Sequence, residues 1–185
     1  MRVIAGELGG RRLVAPKGGR TRPTADRVRE ALFSILGPVD GLDVLDLFAG
    51  SGALGIEALS RGAASATFVD RSPAAVAAIR TNVAMVGDPR RVRVLPIDWR
   101  VALRAEARAG RRFGLCLLDP PYSLLPRILG GLGTELRPVL APVATVVVES
   151  AAGGPVELED LDVVTRTDRT YGDTQIAVAR VGEAP

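Results

Sequence analysis

Short apolar, β-branched runs alternate with helical patterns from residue 42 to residue 150, and this alternation constrains the fold more than any other feature of the sequence. It is typical of βαβ units, whose parallel strands form one sheet with helices on both faces. The predicted strands are 42–49, 66–70, 91–98, 113–119 and 144–150. The predicted helices are 52–62, 72–87, 99–110 and a region within 124–140, with Ser72 as N-cap, Pro73 in the first turn and Gly87 as the stop of the second helix.

The two ends of the chain predict smaller elements. After the last parallel strand, two strand-like runs meet at Gly172-Asp173 and predict a closing hairpin. Residues 2–15 predict two short strands that turn at Gly9-Gly10. A Gly/Pro/Arg-rich link then leads to a helix that Thr24 could cap.

Together these elements predict an α/β fold. The sheet is Rossmann-like, seven-stranded and mostly parallel, with helices on both faces, a C-terminal antiparallel hairpin and a small N-terminal β-hairpin extension. We assign residues 1–20 to the basic N-terminal hairpin and linker, and residues 21–185 to the main domain. At 185 residues the chain is long enough for one such domain and too short for two ordinary ones.

The composition argues against several kinds of chemistry and location. The chain has no histidine, which disfavours Ser-His-Asp hydrolysis and most zinc chemistry, so we expect no metal site. Its single cysteine, Cys116, lies inside an apolar strand and is interpreted as a buried thiol rather than a nucleophile. No apolar stretch is long enough to cross a bilayer, and Arg2, Arg11 and Arg12 interrupt any signal-peptide core. We therefore expect a cytoplasmic protein without membrane contact.

Positive charge is concentrated at the N-terminal end. The first 30 residues carry eight Lys/Arg against three Asp/Glu, whereas the whole chain has a net charge of only +3. This end favours contact with a polyanion such as a nucleic acid, although arginines that simply face water are the alternative. The candidate residues for this nucleic-acid contact are Arg2, Arg11, Arg12, Lys17, Arg20 and Arg22.

A glycine-rich turn follows the first predicted strand. In DLFAGSGALG, the residues Gly50, Gly52 and Gly55 fit G-x-G-x-x-G between a strand and a helix, where bare backbone can approach a ligand. Asp70 ends the next strand 20 positions after Gly50, where an acid can accept hydrogen bonds from ribose hydroxyls. The combination favours a nucleoside-containing cofactor over glycines that only make a tight turn.

The glycine pattern alone leaves open a nicotinamide dinucleotide or S-adenosylmethionine. Asp46, just upstream, would repel a pyrophosphate and attract the ammonium group of a methionyl moiety, which favours the second. Asp98 ends the third strand and could meet the adenine amine beside Trp99 as an apolar wall, but a helix N-cap is an equally good interpretation of Asp98. Glu149 ends the fifth strand nearby, where acids are common.

The sequence LLDPPY closes the fourth strand at residues 117–122. Because ligands bind outside the carboxyl ends of the strands in such sheets, this turn would face the reactive end of the cofactor. Asp119 and the carbonyl of Pro120 can each accept one N–H of a planar exocyclic amine and so draw electron density onto its nitrogen. Tyr122 offers a face on which a base can stack, and the prolines Pro120 and Pro121 hold the turn in one shape.

These motifs, together with the N-terminal sequence RVIAGELGGRRLVAPKGGRTRPTADRVREALFSIL, resemble the RsmD family over nearly the whole chain. That family comprises class I S-adenosylmethionine-dependent methyltransferases that modify the exocyclic N2 of a guanine in 16S ribosomal RNA. The resemblance implies that Thr21–Arg29 lies against the methionine end of the cofactor and that the LLDPPY turn holds the guanine. The resulting cofactor candidates are Thr24, Arg27, Asp46, Phe48, Gly50, Gly52, Asp70, Arg71, Asp98 and Trp99, and the catalytic candidates are Asp119, Pro120, Pro121 and Tyr122.

The resemblance also implies the partner and leaves alternatives. We expect a monomeric enzyme acting on 16S rRNA in a small-subunit assembly intermediate, at a base exposed in a loop or flipped out of a helix. Any planar amine suits the same acceptors, so adenine N6 of DNA and a protein glutamine amide remain alternative substrates. A non-catalytic RNA-binding module is the third interpretation.

Overall fold

The computed structural model describes residues 1–16, 24–154, 156, 158 and 160–182. The strands are β1 (Asp43–Leu47), β2 (Ser65–Val69), β3 (Val92–Leu95), β4 (Phe113–Leu118), β5 (Leu140–Ala151), β6 (Val163–Tyr171) and β7 (Thr174–Gly182). The helices are α1 (Thr24–Leu36), α2 (Ala53–Ser60), α3 (Pro73–Val83), α4 (Trp99–Arg108) and α5 (Leu125–Leu136). Short 3-10 turns lie at Ala84–Val86, Pro89–Arg91 and Arg137–Val139.

The strands form one seven-stranded sheet in the order β3-β2-β1-β4-β5-β7-β6. The first five strands in this order are parallel, and β7 runs antiparallel to both β5 and β6. The predicted Rossmann-like sheet and its C-terminal antiparallel hairpin are confirmed. Because the strand order reverses between β1 and β4, the carboxyl ends of these two strands open the crevice in which such sheets bind ligands.

Helices cover the sheet on both faces, and each face has its own apolar core. Residues of α4 and α5 such as Leu103 and Leu132 pack with Leu45 and Cys116 on one face. Residues of α1, α2 and α3 pack on the other face, together with the N-terminal residues Val3, Leu8 and Leu13. Burial raises the pKa of the Cys116 thiol to about 12, so the thiol stays protonated and unreactive in this core. None of the described helices is long and apolar enough to span a membrane.

The second βα unit differs in detail from its prediction. The helix predicted over 72–87 ends at Val83, and the chain then turns through 3-10 geometry to Gly87, whose φ is 80°. Ser72 occupies the N-cap position, but its side chain makes no capping hydrogen bond. Instead its backbone N–H donates to Asp70 Oδ1 at 2.8 Å, so Asp70 organises this helix entrance.

The first 16 residues, which we call the N-terminal arm, form a smaller β structure than predicted. A single antiparallel bridge joins Arg2 and Arg12 where two strands were expected. The backbone N–H groups of Ile4, Ala5 and Leu8 donate to side chains of α2 instead of to a partner strand. Backbone hydrogen bonds still join the two halves of the arm, from the Val3 N–H to the Arg11 carbonyl at 3.0 Å and from the Leu13 N–H to the Met1 carbonyl at 3.1 Å. Hydrogen bonds to a helix therefore supplement a short hairpin here. The domain boundary predicted at residue 20 lies outside the described residues.

Gly55 in α2 allows the helix to approach the sheet closely, and an alanine there should destabilise the protein. An added Cβ would lie 2.4 Å from Cε1 of the buried Phe68 and 3.1 Å from Asp46 Oδ2. We expect Gly55→Ala to lower the free energy of unfolding by about 1–3 kcal/mol through overpacking. Gly131→Ala in α5 is the matched control, because a Cβ there meets no atom within 4 Å. Urea unfolding that ranks Gly55→Ala at or above Gly131→Ala in stability would disprove this account.

Candidate active site

The chain crosses from strand to helix at the carboxyl edge of the sheet, and each crossing there carries an acidic residue. Asp46 lies in β1, and Asp70, Asp98 and Asp119 directly follow or lie just beyond β2, β3 and β4. Glu149 lies near the end of β5. The fold thus brings together, at one edge, acids that are far apart in the sequence.

The turn after β1 is built from unusual backbone conformations. Phe48 is the one described non-glycine residue with a positive φ, at 60°, and Gly50 and Gly52 follow with φ of 57° and 77°. A bulky residue in the left-handed region is conformationally costly, which is common at ligand sites. This geometry directs the Gly50 N–H to Asp70 Oδ2 at 2.9 Å. Asp70 therefore links the glycine turn after β1 to the entrance of α3 after β2.

Asp46 is a buried carboxyl group beside this turn. Its side chain is almost fully enclosed, and Oδ2 accepts the Gly55 N–H at 2.9 Å. Burial raises the pKa of Asp46 from 3.8 to about 7; the hydrogen bond from Gly55 opposes this shift, and the charge of Asp70 adds to it. The site therefore holds a carboxylate that lacks a full counter-charge and would gain from an arriving cation.

A cleft of about 610 Å³ opens on one side of the glycine turn. Its walls are mainly apolar, and Phe48 and Trp99 form an inclined aromatic pair with ring centroids 6.1 Å apart. Acidic groups lie at its edge. The lining residues are Phe48, Gly50, Val69, Asp70, Arg71, Ser72, Ile97, Asp98, Trp99, Arg100, Asp119, Pro121, Leu124, Arg127 and Ile128. An apolar slot with acceptors at its edge fits a nucleoside.

The structure confirms the interpretation of Asp98 as a helix N-cap. Its Oδ1 accepts the Arg100 N–H at 2.9 Å, so it caps α4. Its Oδ2 lies 4.0 Å from a guanidinium nitrogen of Arg71, and both side chains line the cleft. A contact from Asp98 to an adenine amine stays a prediction.

A smaller cavity of about 150 Å³ lies on the other side of the glycine turn. Its lining includes two buried charged groups, Asp46 and Arg29, together with Met1 from the N-terminal arm and Glu149 from β5. Phe48, Gly50 and Asp119 line both cavities. Asp119 thus stands where the two cavities meet.

The Asp119–Tyr122 turn is fixed against the end of β1 and against β5. The Asp119 N–H lies 3.5 Å from the Leu47 carbonyl oxygen, and the Pro121 carbonyl accepts the Leu124 N–H at 2.8 Å. The Tyr122 hydroxyl lies 3.4 Å from Glu149 Oε1, to which it donates, and 3.1 Å from Thr174 Oγ1. Asp119 is exposed and lines both cavities, whereas the half-buried Tyr122 lines a separate cavity of about 540 Å³ between α5 and the end of β5.

Glu149 and Thr174 were not among the sequence candidates, although both position Tyr122. Glu149 was set aside as an ordinary acid at a strand end, and Thr174 lies in the C-terminal hairpin. Only the antiparallel pairing of β5 with β7 places Glu149 and Thr174 near the same hydroxyl. No local sequence signal gives this register.

Glu57 in α2 is a fully buried acid that ties the N-terminal arm to α1. Its carboxylate accepts the N–H groups of Ile4 at 2.7 Å and Ala5 at 3.1 Å. The Arg29 guanidinium approaches Glu57 to 3.6 Å and also donates to the Arg2 carbonyl. The signal that could have revealed Glu57 is its place in a helix that otherwise has apolar residues, apart from Ser60.

Of the remaining sequence candidates, some lie on the arm, some lie outside the described residues, and one lies away from both cavities. Arg2, Arg11 and Arg12 are exposed on the arm, whereas Lys17, Arg20 and Arg22 lie outside the described residues. Thr24 begins α1, but its side chain also lies outside the described part. The cofactor candidate Arg27 is exposed and lines neither cavity. The arginine of α1 that lines the smaller cavity is Arg29. Among the described residues, no group of three His, Cys, Asp or Glu could hold a metal ion.

Asn82 in α3 joins the N-terminal arm to the glycine turn. The side chain is buried; its Oδ1 accepts the Val14 N–H at 2.8 Å, while Nδ2 donates to the carbonyls of Val14 at 2.8 Å and Ser51 at 2.9 Å. Every polar atom of the amide is therefore used. Ser51 lines the smaller cavity, so Asn82 connects arm and site directly.

Removing this amide should loosen both the arm and the turn. We expect Asn82→Ala to destabilise the protein by about 1–3 kcal/mol, because three hydrogen bonds between the buried Asn82 amide and the backbone of Val14 and Ser51 are lost. Thr81→Ala is the control, since Thr81 is exposed and its hydroxyl bonds only within α3. Hydrogen exchange at Val14 that is unchanged in Asn82→Ala would refute the link.

Comparison with known proteins gives a consistent result. The chain matches the family described as Conserved hypothetical protein 95 over residues 1–180. It is 39% identical to "Putative rRNA methyltransferase YlbH" of Bacillus subtilis over 181 residues, which cover 96% of this chain and 97% of that protein. It is 41% identical over 123 residues to the Escherichia coli protein "Ribosomal RNA small subunit methyltransferase D", covering 66% of this chain and 60% of that protein.

The fold is shared with solved structures over its full length. The structure titled "Putative methyltransferase yhhF from Escherichia coli" superposes with a TM-score of 0.79 at 32% identity. The superposition covers 100% of this chain and 99% of that one. The similarity therefore includes the N-terminal arm and the C-terminal hairpin as well as the parallel core.

Proposed function

The chain belongs to the RsmD family, which is the family described as Conserved hypothetical protein 95. From this premise we propose that the protein methylates small-subunit ribosomal RNA at N2 of a guanine, with S-adenosylmethionine as cofactor. The observation that carries the proposal is the position of Asp119. It stands where the nucleoside-sized cleft and the smaller, charged cavity meet.

The two cavities fit the two ends of the cofactor. The apolar cleft lined by Phe48 and Trp99 would hold adenine, and Asp70 would accept hydrogen bonds from the ribose hydroxyls. The smaller cavity would hold the methionine part, with its ammonium on Asp46. The raised pKa of Asp46 supports this assignment, because a buried carboxylate without a full counter-charge gains most from an ammonium. When bound, the cofactor supplies an electrophilic methyl group on a sulfonium.

The chain's own contribution is to hold and activate the accepting amine. An exocyclic amine is a weak nucleophile because its lone pair is delocalised into the ring. The Asp119 carboxylate and the Pro120 carbonyl would each accept one of its N–H groups, which localises electron density on nitrogen and fixes its direction. Tyr122, held by Glu149 and Thr174, would stack on the base.

The RNA substrate is supported by the named relatives and by charge. Both curated relatives carry rRNA methyltransferase names, and the exposed Arg2, Arg11 and Arg12 give the arm a basic surface. Arginine side chains bind phosphates, so the arm would grip the RNA backbone while the Asp119–Tyr122 turn reads the base. Action as a monomer, in the cytoplasm and on a small-subunit assembly intermediate, is part of the same proposal.

The test is transfer of labelled methyl groups to three classes of acceptor. The purified protein would be incubated with tritiated S-adenosylmethionine and with rRNA, DNA or protein from a strain lacking the gene. We expect label in small-subunit rRNA. Label in DNA or protein alone would favour adenine N6 or a glutamine amide as the acceptor. RNA binding without label in any fraction would favour a non-catalytic module.

A further inference from the structure

Two arginines on the rim of the larger cleft, Arg100 and Arg127, are not explained by cofactor binding. We infer that they form a phosphate-binding surface for the RNA strand on either side of the target nucleotide. This inference rests on the proposed function, and it adds a second RNA contact to the one predicted on the N-terminal arm.

The geometry places both guanidinium groups at the mouth of the site. Arg100 is the second residue of α4 and Arg127 the third residue of α5, and both are exposed. Both line the cleft that also contains Asp119 and Pro121. The Arg100 guanidinium lies over the Trp99 ring at 4.4 Å, which orients it along the cleft wall.

Neither guanidinium group forms an ion pair within the described part of the chain, although the pKa of Glu135 is lowered by the hydrogen bond and charge of Arg104 and, after these, by the charge of Arg100. No described carboxylate lies within ion-pair distance of Arg100 or Arg127. By contrast, Arg104, one turn further along α4, pairs with Glu135, and Arg71 lies 4.0 Å from Asp98. The two rim arginines thus differ from Arg104 and Arg71 in making no ion pair with a described carboxylate, which leaves their guanidinium N–H groups available to a partner outside the chain.

The charge of the cofactor argues that this partner is the RNA. S-adenosylmethionine carries a sulfonium and an ammonium against one carboxylate, so it is a net cation, and two guanidinium groups at its cleft oppose its binding. Phosphates are the natural partners of guanidinium groups, which bind them through paired hydrogen bonds. A nucleotide whose base is held at Asp119 has its own phosphates one sugar away, next to this rim.

The rim and the arm lie on opposite faces of the sheet. Helices α4 and α5 pack on one face, whereas the arm packs with α1, α2 and α3 on the other. Met1 of the arm lines the smaller cavity together with Asp119, so RNA that crosses the carboxyl edge between the two faces would pass over Asp119. The strand would therefore be gripped on both sides of the base that enters the site.

The test is the salt dependence of RNA binding by charge-removing variants. We expect Arg127→Gln and Arg100→Gln each to weaken binding of small-subunit rRNA and to reduce the slope of log K against log salt by about 0.7–0.9, the value for one lost phosphate contact. Arg127→Lys should recover most of the slope. Affinity for S-adenosylhomocysteine, which lacks the sulfonium charge and is neutral overall, should stay equal in the Gln variants when measured by calorimetry.

Arg112→Gln is the matched control, because Arg112 is exposed at the start of β4, on the opposite edge of the sheet. It should leave the slope unchanged. If the wild type methylates rRNA and the rim variants keep its slope, the rim inference is wrong while the proposed function stands. If the wild type neither binds nor methylates rRNA, the proposed function fails and the rim inference fails with it. Weaker cofactor binding in the Gln variants would assign the rim to the cofactor instead.

Discussion

Replacing Asp119 by alanine should abolish methyl transfer while leaving the cofactor site intact. Asp119 is exposed where the two cavities meet, and the proposed reaction depends on its carboxylate to accept an N–H of the target amine. Loss of one such preorganised partner typically costs about 10²–10³-fold in rate. We expect a loss of at least this size in single-turnover transfer to rRNA, with affinity for S-adenosylhomocysteine changed by less than about threefold, since Asp46 and Asp70 supply the main proposed polar contacts.

Asp43→Ala provides the control for this experiment. Asp43 is an exposed carboxylate at the start of β1, on the opposite edge of the sheet from Asp119. It should retain wild-type turnover. Unchanged turnover in Asp119→Ala would remove the central residue of the mechanism, and a parallel loss of cofactor affinity would reassign Asp119 to cofactor binding.

Replacing Asp46 by asparagine should have opposite effects on stability and on cofactor binding. The pKa of Asp46 is raised from 3.8 to about 7, so ionising it in the folded protein is costly. The folded protein therefore favours the protonated form of Asp46. This contribution to the stability is fully present below about pH 3.8 and is lost as the pH rises to about 7. Asparagine is neutral and can still accept the Gly55 N–H. We expect the cofactor-free variant to be more stable than wild type by about 2–4 kcal/mol at pH 8, with the difference shrinking as the pH falls towards 4.

Cofactor affinity should fall in the same variant. An ammonium group bound by a buried carboxylate is a charge-assisted contact, so we expect a loss of about 10–100-fold in affinity for S-adenosylhomocysteine. Wild-type affinity should rise between about pH 5.5 and pH 7.5 as Asp46 ionises, and the variant should lack this rise. Asp43→Asn on the same strand is the control. A variant that is less stable than wild type at pH 8, or that keeps the pH dependence, would contradict the assigned role.

The parts of the fold that were predictable are those specified by local patterns. Alternating apolar runs and helical periods locate the strands and helices within a few residues, and Gly172 marks the hairpin turn. The N-terminal arm was predicted less well, because several of its N–H groups bond to Glu57 and Ser60, which are more than 50 residues away, and only part of the expected hairpin ladder forms. Such distant partners leave no trace in local periodicity.

The candidate site shows the same division. The common position of Asp70, Asp98 and Asp119 was predictable because each follows a strand, and the carboxyl ends of parallel strands meet at one edge. The residues that hold this edge together were missed. Asn82, for example, reaches Val14 across 68 positions in the sequence. Arg100 and Arg127, which belong to the proposed RNA contact, were missed for another reason, because they come from helices whose facing surfaces depend on tertiary packing.

The most direct test of the central claim is the identity of the modified nucleoside. Small-subunit rRNA from a strain lacking the gene would be treated with the wild-type protein and S-adenosylmethionine, digested to nucleosides and analysed by mass spectrometry. If the Asp119–Tyr122 turn accepts hydrogen bonds from the exocyclic amine of guanine, one new product, N2-methylguanosine, is expected. This product should be absent when the Asp119→Ala variant is used in place of the wild type. A methyl group on a ring nitrogen, on a ribose hydroxyl or on adenine would contradict it.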